Sequence, residues 1–190
     1  TAFLRHTSEG KTGLAFLSLT ATGERSFTFY RTRAAETFLD ERDTKAAAKA
    51  ISRTKILHVG TNSLLQPKAR AAVKRSYAAG HITSSDPNLR LHLWPDPSVL
   101  RRLLDELVAN LAVLKLSDEE IHFVTGTKDV DEALLRLERR GVVLAVVTCG
   151  ANGAAFRFRG ETRRVAAPKV KVVDTTGAGD GFTSGLLTGL

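Results

Sequence analysis

Residues 142–148 read Val-Val-Leu-Ala-Val-Val-Thr, an uninterrupted apolar run bounded by Gly141 on one side and Cys149-Gly150 on the other. A run this short and this rich in β-branched residues is a strand, and one with no polar alternation must be buried on both faces. Such a strand needs a covering layer on each side, so the rest of the chain has to supply helices. It does. Residues 97–111 carry Leu100, Leu103, Leu104, Leu107, Val108 and Leu111 at helical spacing. Residues 130–140 repeat the pattern and stop at Gly141, while residues 67–79 start on a Pro and are followed by Gly80. Ser117 is expected to cap a helix through Val124, and residues 44–52 form a short Ala-rich helix.

Strands are expected between these helices at 56–60, 81–85 and 112–116. The alternation predicts an α/β fold, a doubly wound and mostly parallel sheet with helices on both faces. Two hairpins add to it. Residues 13–19 and 25–31 flank a turn at Ala21-Thr22-Gly23-Glu24, with Phe27 and Phe29 alternating against Ser26, Thr28 and Tyr30. Residues 154–158 and 162–166 flank Gly160-Glu161. Val170–Val173 reads as a last strand feeding a last helix.

Composition excludes several classes. No apolar run approaches the length of a membrane span, no secretory leader is visible, and the single Cys149 cannot close an intrachain disulfide, which together predict a cytoplasmic protein without a membrane partner. Lys plus Arg number 28 and Asp plus Glu 20, a net charge of +8. The basic pairs Arg101-Arg102, Arg139-Arg140 and Arg163-Arg164 are scattered and lack an aromatic stacking set, so the charge suits small anions better than nucleic acid. The five histidines have no common ligand spacing, and a nucleophile elbow is missing; zinc and Ser/His/Asp chemistry are both set aside.

Polar clusters fall after four of the expected strands: Asp86-Pro87-Asn88-Leu89-Arg90, Lys115-Leu116-Ser117, Thr148-Cys149-Gly150, and Asp174 through Asp180. In open α/β sheets ligands bind outside the carboxyl ends of the strands. The last cluster is the most specific. In Asp174-Thr175-Thr176-Gly177-Ala178-Gly179-Asp180-Gly181-Phe182 the N–H groups of Gly177, Ala178 and Gly179 gather at a helix N-terminus, a setting for an anion. A carboxylate next to an anion cradle would repel a phosphate, unless its task is to take the proton from an attacking hydroxyl during phosphoryl transfer. A dinucleotide fingerprint would need Gly where Phe182 stands, and no Gly-Lys-Ser/Thr loop occurs.

This stretch resembles the C-terminal signature of the PfkB (ribokinase-like) carbohydrate kinases, and the resemblance runs over essentially the whole chain. It implies ATP and Mg²⁺ as cofactors, K⁺ as a possible third, a sugar acceptor with fructose first, and catalytic roles for Asp180 as base and Gly177, Ala178 and Gly179 as anion hole. Asp86-Pro87-Asn88-Leu89-Arg90 followed by Leu93-Trp94, and Phe29-Tyr30-Arg31, resemble stretches of members acting on fructose or 2-keto-3-deoxygluconate, implying sugar contacts from Arg90 and Arg31. Lys115, Ser117 and Glu120 resemble the Asn-x-x-Glu segment serving nucleotide phosphates, with Glu120 reaching magnesium through water. Ser117–Glu120 also has the spacing of a capping box. Thr148, Gly150 and Gly153 resemble the nucleotide loop, and Asp174 and Thr176 positions that hold a monovalent cation. Cys149 reads as a core residue.

The family's N-terminal sugar-binding portion and its C-terminal adenine clasp have no counterpart in these 190 residues. The expectation is therefore one incomplete domain over 1–190, with 1–33 forming a lid hairpin near the sugar and a possible homodimer contact, and 34–190 the nucleotide and catalytic core. Kinases for ribose, 2-keto-3-deoxygluconate or a nucleoside stay open, as does a catalytically silent binding module.

Overall fold

A computed structural model of the chain describes residues 6–19, 25–77 and 81–190. They fall into two units. The first is built from the residues up to Arg53 together with the stretch from Asn62, and the second from Thr54–Thr61 together with the chain onward to Leu190.

The first unit contains β1 (Leu14–Leu19) paired antiparallel with β2 (Arg25–Tyr30), α1 (Glu41–Ile51) and α2 (Pro67–Tyr77). The expected turn at 21–24 and Gly80 lie outside the described residues. Register opposes Leu14 to Tyr30 and Phe16 to Thr28. Leu14, Phe16 and Tyr30 are all exposed, and Phe16 meets Tyr30 edge-on at 5.5 Å. This hairpin therefore carries apolar side chains on the face that its polar Thr28 marks as outward. α1 starts three residues before its expected start because Asp40 and Asp43 close a capping box, Asp43 Oδ2 accepting from Asp40 N–H at 2.9 Å.

The second unit is a six-stranded sheet in the order β3 (Ile56–Val59), β4 (Ile82–Ser85), β5 (Val113–Ser117), β6 (Leu144–Thr148), β7 (Ala154–Phe158), β8 (Glu161–Val165). The first four strands are parallel and the last two form an antiparallel hairpin. Three helices, α3 (Pro97–Val108), α4 (Ile121–Thr125) and α5 (Val130–Arg139), precede β7, and α6 (Ala178–Thr188) closes the chain. Asp96 and Asp129 cap α3 and α5 by accepting from Ser98 N–H and Glu132 N–H.

The double burial expected of residues 142–148 holds for the centre of β6, Ala145–Val147, while Leu144 and Thr148 are half-buried and Val143 is exposed. Ala145 and Val147 are fully buried on the face where Arg157 of β7, opposite Ala145, donates to Glu138 of α5 at 2.7 Å. Leu144, Val146 and Thr148 point the other way, toward Phe182 and Leu186 of α6. The architecture is thus α/β, a mostly parallel sheet with helical cover, plus the small hairpin sheet.

Two expectations need correction. Val170–Val173 is not a strand: β-branched residues favour a ladder only where a neighbour offers one, and here Val170, Val172 and Val173 stand exposed in irregular chain. Ser117 does not cap a helix. It ends β5, a turn follows, and α4 begins only at Ile121.

Leu134 and Leu137 are wholly buried on α5. Leu134→Ala is expected to cost about 2–5 kcal/mol through lost burial and the cavity left behind, measured by urea denaturation.

Candidate active site

Because β4, β5 and β6 run parallel and adjacent, their C-terminal ends align. Ser85 is registered against Leu114, and Ser117 against Thr148. The polar residues that follow each strand are thereby delivered to one edge, and α6 joins them there.

The centre of this edge is a buried ion pair. Lys115 Nζ donates to Asp86 Oδ2 at 2.9 Å, with both side chains 7% exposed. The same oxygen accepts from Thr183 Oγ1 of α6 at 2.9 Å. Asp86 Oδ1 is buried and has no partner among the described residues. A Cβ added at Gly179 would stand 3.3 Å from Lys115 Nζ, so the ammonium lies against the first turn of α6. Lys115, expected to face a nucleotide phosphate, is instead held by Asp86 beneath the glycine turn. Asp86, at the start of the loop after β4, is the counter-charge.

The turn itself has the geometry of an anion site in part. Gly177 adopts φ 76°, a left-handed conformation natural to glycine, and precedes the helix that begins at Ala178. Ala178 N–H is already used, donating to Thr175 O at 3.1 Å, whereas among the described residues no backbone acceptor engages the N–H of Gly177 or Gly179. Asp180 sits exposed in the first helical turn. Just before it, Asp174 Oδ1 accepts from Thr176 N–H and Thr176 Oγ1, both at 2.8 Å, which brings the two residues expected at a cation together.

On β3, His58 Nδ1 lies 2.9 Å from Ser84 Oγ. Burial of the ring pushes the imidazole below its ordinary pKa, while the fields of Asp86 and then Asp180 pull it upward. The sequence gives no sign of these influences on His58, because both carboxylates lie far from it along the chain.

Glu120 is fully engaged by the protein. Its Oε2 accepts from Ser117 N–H at 2.8 Å and Ser117 Oγ at 3.0 Å, and its Oε1 accepts from Leu89 N–H at 2.5 Å. It staples the loop after β4 to the turn after β5. Asn88 in that loop takes φ 46°, as its role in shaping the turn requires. Arg90 donates from Nη1 to the carbonyls of Asn88 and Leu89, folding back on its own loop. Arg31 belongs to the first unit, where it pairs with Glu36 at 2.8 Å.

Thr148, Gly150 and Gly153 line one cavity of about 610 Å³ together with Ala178, Gly179 and Phe182. The rest of its wall is apolar, chiefly Leu144, Val146, Phe156 and Leu186. Thr148 Oγ1 donates to Leu116 O at 3.3 Å, and the loop closes through Cys149 N–H to Gly153 O at 2.7 Å. Burial, seconded by Asp118, raises the Cys149 thiol pKa, which opposes a nucleophilic role.

The family model for pfkB family carbohydrate kinases matches residues 1–190. The chain belongs to this family. It is 39% identical over 98% of its length to a probable fructokinase-7 of Arabidopsis thaliana, of which it covers 56%. To a fructokinase of Klebsiella pneumoniae it is 37% identical, covering 99% of this chain and 62% of that protein. Among solved structures, a fructokinase of Vibrio cholerae O395 bound to fructose, ADP and a calcium ion superposes with a TM-score of 0.77 at 33% identity, over 91% of this chain and 57% of that one. The chain thus spans little more than half the length of these kinases. No helix among the described residues is long and apolar enough to cross a membrane.

The two loop glycines make different demands. Gly150 has φ 53° with open space around it, whereas at Gly153, with φ 86°, a Cβ would collide with backbone at Val165–Ala167. Gly150→Ala should cost about 1 kcal/mol, the ordinary left-handed penalty. Gly153→Ala should cost at least about 3 kcal/mol and displace β8. Paired denaturation curves with backbone NMR shifts for 153–167 check both.

Proposed function

We propose that this chain carries the catalytic part of an ATP-dependent sugar kinase, with fructose as the first-choice acceptor. The observation that carries the reading is Asp180 in the first turn of α6, beside the uncommitted N–H groups of Gly177 and Gly179 and next to a cavity walled by Thr148, Gly150 and Gly153.

In this reading the apolar wall of the cavity receives the adenine, and the phosphates run toward the glycine turn. Thr148, Gly150, Gly153 and Ser117 guide them. The N–H groups of Gly177 and Gly179, reinforced by the end of the helix, stabilise charge on the transferring phosphoryl group. Ala178 contributes its N–H only if its bond to Thr175 opens. Lys115, neutralised by Asp86 yet pressed against Gly179, adds positive potential from below. Asp180 accepts the proton of the sugar hydroxyl as its oxygen attacks phosphorus, and the nucleoside diphosphate leaves with the bridging oxygen. Arg90, released from its own loop carbonyls, supplies a guanidinium fork to the sugar or the phosphoryl group.

Magnesium fits only at a distance from Glu120, because both carboxylate oxygens already accept protein N–H or O–H groups. Glu120 and its staple would hold a metal-bound water; the ion, when present, would neutralise phosphate charge. Asp174 and Thr176 are the candidates for K⁺.

Asp180→Asn preserves shape but removes the proton acceptor, so turnover of fructose should fall by about 10²–10⁴ while ATP affinity holds. Near-normal turnover in a coupled ADP-release assay would sink the assignment of the base.

The hairpin of β1 and β2 is proposed to pair with its copy in a second protomer through Leu14, Phe16 and Tyr30. Phe16→Glu should then convert dimer to monomer in sedimentation equilibrium without loss of helical circular dichroism.

A further inference from the structure

Thr183 is the buried residue of α6, and it is polar. An amphipathic helix would ordinarily place an apolar side chain at such a position. Its neighbours on the sheet side, Phe182 and Leu186, do so and face the cavity. The Thr183 hydroxyl instead reaches 2.9 Å to Asp86 Oδ2, a residue 97 positions earlier in the chain.

Three observations bear on what this bond does. Lys115 Nζ shares the same Asp86 oxygen at 2.9 Å, so the bond joins the end of β4, β5 and α6 at one atom. Asp86 Oδ1 is buried without a partner among the described residues, which leaves the carboxylate's hydrogen bonding among them concentrated on Oδ2. Lys115 also abuts Gly179 at the positive end of the α6 dipole, where a cation is unfavourable unless an anion offsets it. Of the glycines at 179, 181 and 185 in α6, only Gly179 would meet a neighbouring atom if given a Cβ. The helix is thus seated on the ion pair at Gly179 in its first turn and at Thr183 in its second, while Gly181 and Gly185 face open space.

Asp180 and Thr183 are three residues apart and share a helix face. Fixing Thr183 therefore fixes the azimuth of Asp180. We propose that Thr183, Asp86 and Lys115 form a buried latch that positions the Asp180 carboxylate, with Thr183 acting through Asp86 and touching no substrate. The inference rests on reading Asp180 as the base. A hydrogen bond suits the task because it is directional. Apolar packing alone would let α6 turn or slide slightly on the sheet, and about 1 Å of misplacement can cost around a hundredfold in rate.

The test compares Thr183→Val, which keeps the shape and loses the hydroxyl, with Thr183→Ser, which keeps the hydroxyl, in the protein expressed from its complete gene. The latch predicts that Thr183→Val lowers kcat about 10–100-fold while KM for ATP and sugar stays within about twofold. Thr183→Ser should recover kcat to within about threefold of the parent. A Val variant with parental kcat, a loss that Ser does not restore, or a rise in KM at constant kcat each overturns the latch.

Amide hydrogen exchange gives a second readout that needs no turnover. Exchange at Asp180–Thr183 should quicken about tenfold in Thr183→Val and not in Thr183→Ser, with the unfolding midpoint of the sheet unchanged; equal exchange in all three overturns the latch. If the parent protein phosphorylates no sugar while this exchange pattern holds, it is the kinase reading that fails, and the latch stands as a structural device. Thr183→Ala carries the same readouts should the Val variant not fold.

Discussion

A lysine ammonium and an aspartate carboxylate removed from water together form an expensive object, and everything at the carboxyl edge of the sheet is arranged around one. Lys115 projects from β5 and Asp86 follows β4, so the pair forms only when these strands are adjacent, parallel and in the observed register. Desolvating two charges costs several kcal/mol per ion, repaid only by good geometry and further hydrogen bonds. Thr183 supplies one of those bonds, and in doing so brings the last helix to the first strands of the sheet. Removing one partner of such a pair is far more damaging than never having had it, so the pair acts as a condition on the fold as well as a product of it.

The electrostatics of the edge follow from this. A neutralised ion pair beneath the glycine turn leaves the helix end and the N–H groups of Gly177 and Gly179 as its main positive features, with Asp180 exposed in the same first turn. Glu120 performs a comparable service beyond the ends of the same two strands, where a single carboxylate ties Leu89 and Ser117. In both places acidic side chains that a sequence reader would assign to ligands are used to hold loops. The loops then present backbone groups, which suits an anionic, changeable partner better than fixed charges do.

What could be read from the chain was whatever is local. The apolar run at 142–148, the helical periods of α3 and α5, and the Asp174–Asp180 turn each declare themselves within a window of about fifteen residues. What could not be read depends on distant partners. Asp86 and Lys115 are 29 residues apart, Asp86 and Thr183 97 apart, and no spacing rule joins them. The same reason explains the errors. Val170–Val173 has the composition of a strand, but strands are made by neighbours, and Ser117 has the spacing of a cap, but its hydroxyl donates to the Glu120 carboxylate and the helix begins only at Ile121. The single carboxylate of Glu120 serving two loops was half visible, as the Ser117–Glu120 spacing, and its Leu89 bond was not.

The exposed segment before the glycine turn has a colloidal consequence. Val170, Val172 and Val173 are 65–91% exposed on a stretch whose backbone has no ladder partner. Short β-branched stretches with unused backbone donors and acceptors are where separate copies of a chain begin to stack. Lys169 precedes this one and Lys171 interrupts it, and repulsion between such charges on separate copies opposes stacking. That repulsion weakens as salt shortens the Debye length from about 10 Å at 0.1 M to about 3 Å at 1 M. Raising the salt is therefore expected to remove part of the charge repulsion that opposes stacking of this segment, a few residues from the glycine turn.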